Sequence, residues 1–344
     1  MADASGISEE TLREANAAIV NHHHGLPLAS VWGGGTMSSS DGQRFPMRGK
    51  SLTARAMSRY FVNEGVATYA HVSDQHTTYG TKVIPVTDRE AVYVLDEILG
   101  NATDLPITEH ATDTAGQTLT VFALFALTGF TLSPRIRDLG EITLHRLGMR
   151  KQVVGGFPHA GTLLTGTIDT ALLRSQWDEM LRLAASLVVS KLHASSRRSA
   201  LAQALVKYGK LQRTIYALRY LAGEAYRRRI TRQLNKGESL HSLRRDLFFA
   251  HEGTVRRRRQ EQQTEQALCL SLVTNAIITW NTAYLELALE RLSQRRGRID
   301  RDLLADISPA LLEHVNPYGT YEFPVEAEYA RTGYRPLRTL EAEG

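Results

Sequence analysis

The chain has 344 residues, of which 42% are hydrophobic, with a formal net charge of +5 and one cysteine. This length and composition admit one large or two ordinary domains with a sizeable core, and they exclude wholesale disorder. A single cysteine excludes an intrachain disulfide or a cysteine-based zinc site and suggests a reducing compartment. No run of about 18 apolar residues marks a membrane span, so no membrane is expected as a partner. Cys269 lies in an apolar helical run and reads as a buried structural thiol rather than a nucleophile.

Met1 to Asn21 carries Asp3, Glu9, Glu10 and Glu14, which is not the basic-then-apolar order of a signal peptide. It reads as a polar helix with Ser8 as its cap. His22-His23-His24 reads as a loop. From Leu28 to Val86 the pattern is β. Val31 and Trp32 lead through a glycine tract (Gly33 to Gly35) into Ser38–Phe45, which contains Asp41. Arg55 to Val62 is open between strand and helix. Gly65 to Ser73 and Thr77 to Val86 are strands rich in β-formers, giving an antiparallel meander. Asp74 reads as a turn residue between them.

Asp88 is expected to cap a helix over Arg89 to Leu99, with Val92, Leu95, Ile98 and Leu99 on one face and Gly100 as its stop. Leu105 to Ala111 is a short strand with Asp113 at its C-terminal end. Gln117 to Leu127 is an apolar helix, and Phe130 to Leu132 begins another strand. The order β-β-β-α-β-α-β is that of the ribonuclease H-like fold. Gly140 to Gly166 is irregular, and Thr170 to about Leu234 is helical and looks inserted. Asn235-Lys236-Gly237 reads as a helix breaker. Glu238 then opens a helix to about Ala250, in which Leu240, Leu243 and Leu247 share one face. Glu238 lies on another face, toward His241 and Arg245. Thr264 to Leu292 is a long apolar helix. Ser308 to Phe323 is rich in Pro and Tyr, and the last twenty residues read as a tail.

The expected class is therefore α/β: a ribonuclease H-like mixed sheet interrupted by an all-α insertion, with a helical C-terminal region. The expected divisions are an N-terminal helix (1–25), the first part of the core (26–166), the helical insertion (167–232), the core completion (233–292) and a C-terminal segment (293–344).

Three acids stand out within that order: Asp41, Asp113 and Glu238. In a ribonuclease H-like sheet the first and fourth strands are neighbours, so the first two carboxylates meet at one edge, and a following helix brings the third. Packed carboxylates repel unless divalent cations neutralise them, and Mg²⁺ prefers such oxygen ligands. Two ions about 3.5–4 Å apart suit phosphodiester chemistry. Arginines cluster at Arg197-Arg198, Arg227 to Arg229, Arg244-Arg245, Arg256 to Arg259 and Arg295-Arg296. Their planar forks match phosphate oxygens, which raises nucleic acid as a partner.

The segments SSSDGQRF (Ser38–Phe45), TDT-A-G (Thr112–Gly116), PRIRDL (Pro134–Leu139), QLNKGESLHSLRR (Gln233–Arg245), TNAIITWNT (Thr274–Thr282) and SPALLEHVNPYGTYEF (Ser308–Phe323) resemble the transposases of the Tn-three family of bacterial replicative transposons. The match runs in order from about Ile7 to Phe323. The resemblance implies that Asp41, Asp113 and Glu238 form a DDE triad that is both catalytic and metal-ligating. It implies two Mg²⁺ ions, with Mn²⁺ as a substitute, and cleavage of a transposon 3′ end followed by strand transfer. The implied partners are terminal inverted repeats, target DNA and a second copy in a homodimer, in the cytoplasm at the nucleoid.

Arg135, Arg137, Lys236, Arg244 and Arg245 are the candidate DNA contacts. An ion pair with Asp138 remains the alternative for the first two, and a solvated turn for Lys236. Family members commonly carry His where this chain has Ala115, and they are far longer, so the chain looks like the C-terminal catalytic part. A DNA-binding remnant, or a dominant-negative partner of a full-length transposase, is the alternative reading.

Overall fold

The computed structural model describes residues 7–48, 55–56, 64–85, 93–113, 118–189, 199–248, 250–297, 299–316, 318–320 and 322. The expectations at Asp88, at 57–62, at Ala115 and over the final twenty residues lie outside these.

Two helices precede the sheet, α1 (Glu9–His24) and α2 (Ala29–Trp32). The Ser8 hydroxyl accepts from Thr11 N and so caps α1, as its position predicted. His22 to His24 form the last turn of α1 rather than a loop. His23 is buried against Trp32 and bonds Thr282. Val31 and Trp32 are helical rather than extended. The indole of Trp32 donates to the carbonyls of Leu304 and Ile307, a long-range contact that local β preference does not register.

Strands β1 (Met37–Pro46), β2 (Arg55–Ala56), β3 (Glu64–Ser73) and β4 (Thr78–Pro85) follow. Strands β1, β3 and β4 pair antiparallel in sequence, and the short β2 pairs with the start of β3. Helix α3 (Val94–Leu99) leads to β5 (Glu109–Thr112), and α4 (Leu119–Leu127) leads to β6 (Thr131–Pro134). β5 runs parallel to β1, and β6 runs parallel to β5. The order across the sheet, β4-β3-β1-β5-β6, is that of a ribonuclease H-like sheet, with β1 at its centre. β1 is buried along both faces, so its pattern lacks the polar–apolar alternation of a half-exposed strand.

The irregular stretch holds a two-stranded ladder of β7 (His145–Arg146) and β8 (Gly166–Thr167), with α5 (Arg150–Gly156) between them. The helices α6 (Thr170–Ser175), α7 (Trp177–Val189), α8 (Ala200–Ala222) and α9 (Glu224–Leu247) come next. α8 crosses α4 so closely that a Cβ on Gly209 would stand 1.8 Å from the Leu119 carbonyl.

The main core lies between one sheet face and helices α3, α4 and α8, through Ile98, Phe122, Phe125 and Tyr216. A second cluster of Val72, Leu240, Leu243 and Ile278 joins the opposite face to α9 and to α10 (Gln260–Arg296). Within α10, Gln260–Arg295 is long and apolar enough to cross a membrane by length and composition, yet half of its apolar window is buried. It packs along α1 and β4, with the Asn275 amide bonded to Asn16 and Thr78, as a core helix does.

Helix α9 corrects one sequence expectation. It runs unbroken through Asn235-Lys236-Gly237, so Glu238 lies in its interior. Glycine costs about 1 kcal/mol inside a helix. Burial of Ile230, Leu240 and Leu243 along the same helix outweighs that cost.

Candidate active site

Parallel pairing sets the first two acids side by side. Met37, Ser38 and Ser39 of β1 oppose Glu109, His110 and Ala111 of β5. Continued by two residues on each strand, the same register brings Asp41 level with Asp113, which directly follows Thr112 at the end of β5. On the other side of β5, Thr112 opposes Pro134, and Arg135 N donates to Thr112 O at 2.8 Å. The exposed Arg135 therefore stands beside Asp113 in the next row.

Helix α9 lies along β1 and is tied to it at two points. The Gln233 amide nitrogen donates to Ser39 Oγ (3.1 Å) and Val72 O (3.1 Å), and Gln43 Nε2 donates to His241 O (2.9 Å). Eight helical residues rise about 12 Å and four strand residues about 13 Å, so helix and strand keep pace between the anchors. Gly237 faces the strand, where a Cβ would lie 3.9 Å from Ser39 Oγ. Between the anchors, Asp41, Glu238 and His241 bring one ligand atom each within 4.8 Å of one another. Glu238 and Asp113 are exposed and the Asp41 side chain is 43% exposed, so the cluster opens to solvent as a macromolecular substrate requires.

The electrostatics combine burial with neighbouring like charge. Burial raises the Asp41 carboxyl to about 6, and the Glu238 and Asp113 charges push the same way against the Gly42 N–H and Arg44. Burial, with Arg244 and Arg245 nearby, lowers His241 to about 3. The imidazole is thus neutral at pH 7, and its 3.6 Å approach to Asp41 Oδ2 is not an ion pair. Carboxylate oxygens brought together in this way fit a divalent cation.

A second acid, Asp74, supports the site from behind. Its carboxylate accepts from Gly35 N (2.8 Å) and Met37 N (3.2 Å). Gly33 leaves room for it, since a Cβ there would come 2.3 Å from Asp74 Cγ, and Gly35 adopts φ +74°. Asp74 therefore does more than form a turn: it fixes the entry to β1. Lys236 donates to Trp32 O (2.9 Å) and Asp74 O (2.5 Å). Burial lowers its ammonium to about 8, partly opposed by Asp74.

The five proposed DNA contacts thus divide. Lys236 is bound to backbone carbonyls inside the fold. Arg244 is wholly buried and donates to Ser271 Oγ at 3.1 Å. Arg135, Arg137 and Arg245 are exposed, and Asp138 Oδ1 accepts from Gly140 N in a turn. Cys269 is half-buried. In the sequence His241 stands out only as a neighbour of Glu238 on the helix. Its one-turn spacing from Glu238 was the available signal for membership of the cluster.

Comparison with known proteins agrees with this architecture. The Tn3 transposase DDE domain family matches residues 1–321. The transposase for transposon Tn1546 of Enterococcus faecium is 40% identical over 96% of this chain and 34% of its own length. The transposase for transposon Tn501 of Pseudomonas aeruginosa is 42% identical over the same shares. The transposase for transposon gamma-delta of Escherichia coli (strain K12) is 37% identical over 95% of this chain and 33% of its own length. The chain spans about a third of the length of these relatives and aligns with them along nearly all of its own. It belongs to the Tn3 transposase DDE domain family.

Proposed function

We propose that this chain carries the catalytic centre of a replicative DDE transposase, with Asp41, Asp113 and Glu238 as its catalytic and metal-holding residues. Its reactions are cleavage of a DNA 3′ end and strand transfer. The observation that carries this reading is that Asp41 and Glu238 bring ligand atoms within 4.8 Å of each other, with Asp113 directly after the neighbouring parallel strand. The carboxyl of Asp41 is raised to about 6 by burial and by the charges of the other two. Such a cluster is costly without a cation and suits Mg²⁺ or Mn²⁺. A divalent ion held there supplies the positive charge that favours the attacking oxygen and the departing oxygen of a phosphodiester exchange.

The chain's own residues perform the positioning. Asp41 and Asp113 present oxygens from adjacent strand ends. Glu238 closes the cluster from α9, whose register on β1 is held by Gln233 and Gln43. Arg135 stands next to Asp113 in the strand register and Arg245 lies near His241, and with Arg137 these exposed side chains offer planar cations to phosphate oxygens. The DNA partners are transposon ends and target DNA, and two copies acting on paired ends form the working unit.

The test is strand transfer from a pre-cleaved transposon end in Mg²⁺. The wild-type chain is expected to join the end to target DNA and Asp113→Ala to lose that activity. Equal yields from the two proteins contradict the triad assignment.

A further inference from the structure

The buried imidazole of His241 makes no hydrogen bond among the described residues. Its residue is 4% exposed. Nε2 has no hydrogen-bond partner among the described residues. Nδ1 points at Asp41 Oδ2 from 3.6 Å, beyond hydrogen-bond range. The ring is nevertheless held in place, because its own carbonyl accepts from Gln43 and the neighbouring Leu240 and Leu243 are core residues. Nδ1, facing Asp41 Oδ2 from 3.6 Å, is the ring atom placed to meet a cation held between the carboxylates.

We infer that His241 is a nitrogen ligand of the divalent-cation site, joining Asp41 and Glu238 through Nδ1. This rests on the reading of the acids as a metal site. Two atoms bound to one ion at about 2.1 Å stand about 3–4.2 Å apart. The present spread of up to 4.8 Å therefore needs only a small contraction. The helix places His241 three residues after Glu238, so the two reach the same point from consecutive positions on one face. A mixed oxygen and nitrogen set shifts preference from Mg²⁺ toward Mn²⁺ and Co²⁺, because imidazole favours transition metals. The site then holds Mn²⁺ more tightly than an all-carboxylate site would.

The experiment loads the chain with Mn²⁺ alone and records pulsed electron paramagnetic resonance. Wild type is expected to show ¹⁴N hyperfine coupling from one imidazole. His241→Gln is expected to keep its fold by circular dichroism, retain weaker Mn²⁺ binding and lose the coupling. Labelling histidine with ¹⁵N in the wild-type chain provides a second readout independent of any variant, since the coupling must change with the isotope. Bound Mn²⁺ that Asp41→Asn releases, but that shows no histidine coupling, overturns the role of His241 and leaves the metal site standing. Mn²⁺ binding that Asp41→Asn does not alter, or no binding at all, overturns both.

Discussion

The two faces of β1 use polar residues in opposite ways. On one face, Ser38 and Ser40 bond the two nitrogens of His110, at 2.7 and 2.8 Å, and the hydroxyls of Tyr69 and Tyr79 complete the set. His110 is wholly buried and held neutral, with its pKa well below the usual histidine range because of burial. On the other face, Asp41 meets Glu238, Asp113 and an imidazole it does not bond. The satisfied face locks β1 to β5 and so fixes the spacing of the two acids. The strained face gathers like charge and burial at the site proposed for substrate and ions. The difference separates residues that build the sheet from residues that build a site.

The largest expected effect comes from removing the strained face. Asp41→Asn or Glu238→Gln should lower strand-transfer rates about a thousandfold or more, because the site stabilises several kcal/mol of transition-state charge. The double variant should lose little beyond either single one, since the groups act as a unit. In EDTA, urea melts should find both single variants at least as stable as wild type. A large loss of stability would place these acids with the structural face instead.

Removing the satisfied face should do the reverse. His110→Ala takes one partner from each of two buried hydroxyls and leaves a cavity, so it should cost about 3 kcal/mol or more in urea denaturation. Little change in stability would break the contrast.

The pH dependence gives a smaller effect of defined sign. The carboxyl of Asp41 is raised in the fold, so ionising it costs stability as pH rises from about 4 to about 6. With its side chain 43% exposed, that cost is about 1 kcal/mol after discounting for solvent. Mg²⁺ should therefore raise the melting temperature more at pH 7.5 than at pH 5. Buried His23 and His71, both lowered to about 3 mainly by burial, act in the opposite direction. They are neutral in the fold, so their contribution is complete above about 6.5 and is lost as pH falls toward 3. Calorimetry across pH 4–8, with and without Mg²⁺, separates the two. An equal Mg²⁺ effect at both pH values contradicts the proposed crowding.

The smallest effect concerns the helix that covers the strained face. Gly237 lies inside α9 with room for a methyl group. Gly237→Ala should stabilise the chain by up to about 1 kcal/mol in urea melts. A clear loss would show that the close passage along Ser39 does not tolerate the methyl.

Much of this contrast could be read from the sequence. The β-formers of Gly65–Ser73 and Thr77–Pro85, and the alternation of strands with apolar helices after them, identify the sheet order that puts Asp41 beside Asp113. The 3.6-residue period of Leu240, Leu243 and Leu247 identifies the buried face of α9. What stayed hidden depends on partners distant in sequence. Asn235 and Gly237 read as a breaker because their local preference opposes helix, while the opposing burial comes from Val72 and Ile278. Arg244 and Lys236 read as surface cations because charge pattern does not reveal Ser271, or the carbonyls of Trp32 and Asp74. His241 gave no signal beyond its spacing from Glu238, since its isolation follows from the strand beneath it.

The most direct measurement is nicking of duplex DNA containing a transposon end by this chain, in Mg²⁺ and in EDTA, alongside Asp41→Asn, Asp113→Asn and Glu238→Gln. Nicking that needs Mg²⁺ and disappears in each variant is the predicted result. Nicking that persists in EDTA, or at wild-type levels in any one of the three variants, contradicts a metal site built from these carboxylates.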